Sequence, residues 1–73
     1  MIAHKILKIH PSKVYFLRFI LEGYDNLFVL STLDKADGLI EIQYVESSED
    51  DLNSILEEIG HFIGLVPMEK MDP

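Results

Sequence analysis

Cysteine is absent from the chain, and basic residues are few: six Lys and Arg stand against thirteen Asp and Glu in 73 residues. Without cysteine there is no disulfide, no zinc ribbon and no thiol nucleophile. The resulting formal charge of −7 opposes binding to nucleic acid or to an anionic membrane surface, because both rely on Lys and Arg releasing counterions. Long apolar runs are also missing. The longest, residues 14–21, is interrupted by Arg18 and falls far short of the ~20 residues of a membrane-spanning helix. The first ten residues place Lys5 and Lys8 inside their apolar stretch, which does not fit a signal peptide, so a cytoplasmic location is the expectation. No internal repeat, low-complexity stretch or linker is found.

What is present is a globular composition, with 48% hydrophobic and 26% charged residues, and not that of a disordered acidic tail. One domain, residues 1–73, is all that fits, with residues 68–73 expected as a frayed tail. A chain this short buries only about 60–65% of the surface its unfolded form exposes, so a monomer is marginal without a partner. Charge is segregated: residues 1–21 carry four cations and no acid, whereas residues 22–73 carry all thirteen acids and only Lys35 and Lys70 as cations. Attraction between the two segments within one fold is the favoured reading; the alternative is that subunits meet basic face to acidic face.

Residues 52, 55, 56, 59 and 63 are Leu, Ile, Leu, Ile and Ile, one apolar stripe of an amphipathic helix. Asn53, Ser54, Glu57 and Glu58 coat its other side. Ser47 or Ser48 is placed to cap the start, the acids at 49–51 suit the helix dipole, and Gly64 suits the exit. Residues 39–45 alternate as a strand, Ile40, Ile42 and Tyr44 on the dry face and Glu41 and Gln43 on the wet one. Residues 27–33 read as a second strand, joined to it by a loop in which Gly38 supplies a positive φ. A shorter strand is expected at 5–10, with Ile6 on one side and Leu7 and Ile9 split between sides. Residues 14–21 fit two readings. Their β-branched and aromatic content favours a strand, while Pro11, a Ser12 cap and Gly23 bound them like a helix. The helix reading is adopted, with apolar groups over more than half of its circumference.

With a weak last strand at 65–69, the order β-α-β-β-α-β predicts an α+β fold, a ferredoxin-like two-layer sandwich with two helices on one face of an antiparallel sheet. The expected strand order is 4-1-3-2. Pro67 suits the fourth strand's edge position. The second strand is apolar on both faces and carries no Lys or Pro to block pairing with another chain. Together with the broad apolar surface of the first helix, this predicts a homodimer whose interface contains Tyr15, Phe19, Leu27, Phe28, Val29 and Leu30.

The order and several short strings resemble an ACT domain. Pro11-Ser12 before the apolar helix is similar to that family's Pro-Gly entry, with Ser12 departing from its glycine. Glu22-Gly23-Tyr24-Asp25-Asn26-Leu27 resembles the family's turn from the first helix into the second strand. The resemblance implies an amino-acid-sensing site at a subunit interface, formed by the loop His10, Pro11, Ser12 and Lys13 facing Asn26. Ser12, Lys13 and Asn26 are then the ligand-binding candidates, with hydrogen bonds from Ser12 and Asn26 and a carboxylate partner in Lys13. The chain also resembles a family of short uncharacterised bacterial proteins sharing the string Leu21-Glu22-Gly23-Tyr24-Asp25 and a later Thr32-Leu33-Asp34.

Other chemistry is discounted. His4, His10 and His61 form no ligand signature, and the acidic residues 46–51 lack the spacing of a calcium loop, so no metal is expected. No nucleophile elbow or phosphate-cradling glycine loop occurs, so neither catalysis nor a cofactor is expected. Tyr24 and Tyr44 read as rim or interface residues. The functional expectation is a non-catalytic module binding a small metabolite or a protein partner. The alternative is a structural interaction module assembling through its open sheet edge.

Overall fold

The computed structural model describes residues 1–24 and 27–67. Its elements follow the order β1 (Ile2–Lys8), α1 (Val14–Glu22), β2 (Phe28–Asp34), β3 (Leu39–Val45), α2 (Glu49–Ile63) and β4 (Val66–Pro67). Short 3-10 turns at Pro11–Lys13 and Glu46–Ser48 lead into the two helices. The sheet order is β2-β3-β1-β4, all three pairings antiparallel. This is the α+β ferredoxin-like sandwich with the strand order expected, and residues 14–21 are helical.

The sheet has one covered and one open face, set by the period of two along each strand. In register, Ala3, Tyr44 and Phe28 fall in one row, Lys5, Ile42 and Leu30 in the next, and Leu7, Ile40 and Thr32 in the third. Leu7, Phe28, Leu30, Ile40, Ile42 and Tyr44 are buried there against Leu17 and Leu21 of α1 and Leu52, Ile55, Leu56 and Ile63 of α2. The opposite face leaves Ile2, Ile6, Val29 and Val45 exposed. Tyr44, expected at a rim or interface, is a core residue, because it shares parity with Ile40 and Ile42.

β1 starts earlier and ends earlier than residues 5–10. Its ladder with β3 runs from Ile2 opposite Val45 to Lys8 opposite Leu39, and the Glu46 N–H donates to the Met1 carbonyl. Ile9 then leaves the ladder, and its N–H donates to the Gly38 carbonyl at 2.9 Å. Leu7 and Ile9 lie on the same side, both buried, while Ile6 points to the open face; residues two apart in extended chain share a face. β2 begins at Phe28, one residue late, and a register shift between Thr32 and Asp34 leaves Leu33 out of the ladder.

Helix ends depart from the expected caps in a specific way. Ser12 lies within the 3-10 turn, and the capping acceptor is the imidazole of His10, whose Nδ1 receives the Ser12 N–H. Ser48 occupies the N-cap position of α2 without a side-chain capping bond, leaving Glu49, Asp50 and Asp51 to complement the dipole. Gly64 closes α2 in the left-handed region at φ 66°, and the Leu65 N–H donates back to the Gly60 carbonyl at 2.9 Å. One pair of the segregated charges meets inside the chain, Lys8 Nζ 3.8 Å from Asp37, and the His4 imidazole Nδ1 lies 3.3 Å from Glu41.

Candidate functional site

The loop between β1 and α1 is tied from two sides. The Ile9 N–H reaches Gly38 in the β2–β3 hairpin, and the His10 N–H donates to the carbonyl of Ile63 at the end of α2, 2.8 Å away. Gly38 is required for the first tie. Its φ is +73°, and a Cβ there would lie 1.8 Å from the Ile9 carbonyl oxygen, inside any tolerable contact. The hairpin tip is itself held by the Asp34 carboxylate, which accepts from the Asp37 N–H at 3.2 Å. These bonds hold the start of α1 against the hairpin.

A groove of about 540 Å³ lies between them, lined by Pro11, Ser12, Val14, Tyr15 and Arg18 on one side and Thr32 and Lys35 on the other. The volume falls within the roughly 300–1,000 Å³ of small-molecule sites. Val14, Tyr15 and Arg18 form one helical stripe continued backward by Pro11, an i, i+3, i+4, i+7 set. Arg18 Nη1 donates to the Leu30 carbonyl of the edge strand at 3.4 Å. On the far side of Arg18, a smaller depression of about 190 Å³ is bordered by Glu22, Phe28 and Val29 among others.

The candidate residues divide. Ser12 is in the groove. Lys13 is on the opposite side of the helix start, with its Nζ 4.1 Å from the ring centroid of Phe62, a cation–π contact. Phe16, one turn on, meets the same ring edge to face at 4.9 Å, so this side of α1 serves packing against α2. Asn26 lies outside the described residues. Among the expected interface residues, Phe28 and Leu30 direct their side chains into the chain's own core, whereas Tyr15, Phe19, Leu27 and Val29 are exposed. The edge of β2, expected to be unguarded, has the Arg18 guanidinium on its backbone.

Arg18, Thr32 and Lys35 were not site candidates from the sequence. A signal existed for Arg18, the lone cation in an apolar helix on the stripe of Pro11 and Val14, but nothing local ties Lys35 to it. Ser12 Oγ sits 2.9 Å from His10 Nδ1, a serine–imidazole contact that invites a catalytic reading. The same Nδ1 receives the Ser12 backbone N–H, and among the described residues no carboxylate hydrogen-bonds to the ring to orient it as a base. The pair is a helix-entry cap. Among the described residues no three His, Asp or Glu side chains converge to hold a metal ion, and no helix is long and apolar enough to cross a membrane.

A comparison with protein families matches residues 7–63 to a family described as a domain of unknown function, DUF4911. No curated protein and no solved structure matches the chain. The matched span runs from the end of β1 through α2 and contains every residue of the groove, so the chain belongs to the DUF4911 family.

Proposed function

We propose that this DUF4911 protein is a non-catalytic, ACT-like binding module that holds a small metabolite in the groove between α1 and the β2–β3 hairpin. The observation that carries the reading is the groove itself: about 540 Å³ with an apolar wall of Pro11, Val14 and Tyr15 and polar groups converging from two elements. The ACT-like part is supported by the β-α-β-β-α-β order and by Pro11, which leads into α1 on the groove wall. A ligand-dependent thermal shift over a panel of amino acids, organic acids and phosphate esters tests it. A true ligand at about a hundredfold over its Kd stabilises by about 2.7 kcal/mol, several degrees in a domain of this size. No shift with any class of compound contradicts it.

A second reading, homodimer assembly, is favoured by Tyr15 and Phe19, which are 70% and 71% exposed on adjacent turns of α1. Large aromatics in that position fit a protein-protein seam. Because Arg18 occupies the Leu30 carbonyl, this seam runs over the aromatic surface of α1, and not along the whole backbone of β2. Sedimentation at micromolar concentration distinguishes dimer from monomer.

A further inference from the structure

We infer that the groove selects an anion carried on an apolar body, a carboxylate or a phosphate ester, and rejects ligands bearing a free ammonium group; this rests on the reading of the groove as a ligand site. The chain has six Lys and Arg and thirteen Asp and Glu, yet among the described residues the groove wall contains Arg18 and Lys35 and no acid. Neither of these cations forms an ion pair among the described residues, whereas Lys8 is paired with Asp37 and Lys13 lies over Phe62. An acidic protein thus places two cations that form no ion pair among the described residues on the wall of one groove, with Glu22 on the far side of Arg18.

The donors suit an oxyanion. Arg18 spends Nη1 on the Leu30 carbonyl, which steadies the guanidinium and leaves further N–H donors of the planar fork for a carboxylate or phosphate. Thr32 adds a hydroxyl from the facing strand. A space of about 540 Å³ is roughly 10 Å across, comparable to the Debye length at 0.1 M salt, so both cations act on whatever occupies it. An α-ammonium group has no carboxylate to meet there and two positive charges to oppose it. The amino acid implied by the ACT resemblance is therefore the wrong charge type, and its deaminated counterpart, or a phosphate ester that carries no amine, is the right one.

Isothermal titration of the full chain with four probes sharing one aromatic body tests this: phenylacetate, phenyl phosphate, phenylalanine and benzyl alcohol. Phenylacetate, phenyl phosphate or both are expected to bind at least about tenfold more tightly than phenylalanine, and the tighter of the two identifies the oxyanion. Arg18→Gln is expected to weaken the anion by about tenfold and Arg18→Lys by less, with unchanged circular dichroism. Phenylalanine or benzyl alcohol binding as tightly as the anions overturns the charge selection and leaves the groove reading standing. No heat from any of the four at about 10 mM, with the fold intact, overturns both.

Discussion

The two helices cover the same sheet face but differ in how they treat water. α2 has fifteen residues, buries Leu52, Ile55, Leu56 and Ile63, and shows Asn53, Ser54, Glu57 and Glu58 outward. It begins on three acids and ends on a left-handed glycine. α1 has nine residues, buries Leu17 and Leu21, and turns Tyr15 and Phe19 outward. Its entry is a 3-10 turn capped by His10, and its exit glycine, Gly23, has an ordinary φ of −73°. A helix that short is unstable alone in water and is held by Phe16 against Phe62, by Arg18 on Leu30 and by its apolar floor. The difference separates an anchoring helix from a displaying one. Both inner faces bury leucines in the core, and α1 in addition supplies the wall of the groove and the exposed aromatics.

The deepest break in this arrangement is Gly38→Ala. It strains a φ of +73° and drives a methyl group into the Ile9 carbonyl, separating the hairpin from the start of α1. A loss on the order of 4 kcal/mol or more is expected by urea denaturation, enough to unfold a small domain. Leu52→Ala and Leu17→Ala follow. Both side chains are fully buried, one in each helix, and each substitution is expected to cost about 2–5 kcal/mol. Near equality shows that the two inner faces belong to one core, whereas a Leu17→Ala cost under about 1 kcal/mol would make α1 an appendage.

The helix exits sharpen the comparison. Gly64→Ala places a Cβ at φ +66° in ordinary van der Waals contact with His10 at 3.7 Å, so the backbone penalty of about 1 kcal/mol is the cost expected. Gly23→Ala, at a φ that any residue adopts, is expected to be neutral or to stabilise by about 0.5 kcal/mol through the unfolded state. The outer faces give the smallest stability effect. Tyr15→Ser with Phe19→Ser, and separately Glu57→Gln with Glu58→Gln, are each expected to fall within about 0.5 kcal/mol per residue. Sedimentation separates them: under the homodimer reading only the aromatic pair shifts the chain toward monomer.

The parts legible in the sequence were those set by local periodicity. The Leu and Ile stripe of α2, the alternation of β3 and the Gly64 exit needed no knowledge of the rest of the chain. The strand order followed from the element order through the short connections of the fold. The parts that were not legible depend on contacts distant in sequence. The limits of β1 are set by its ladder with β3, more than thirty residues away, and not by its own apolar run. Lys13 is drawn from the groove by Phe62 on α2, and the β2 edge is guarded by a guanidinium from α1. Ser12, a candidate through the ACT resemblance, lines the groove because the loop before α1 carries it. Thr32 and Lys35 reach the groove only through the packing of the hairpin on Ile9.

The proposed ligand site is the groove on α1. It is tested most directly by following backbone amides in a ¹H–¹⁵N NMR titration with phenylacetate. The account predicts concerted shifts at Ser12, Tyr15, Arg18, Thr32 and Lys35, with Asn53, Ser54, Glu57 and Glu58 unmoved. Shifts centred on α2 or on the open sheet face at Val29 and Val45, or no shift at the groove, would contradict it.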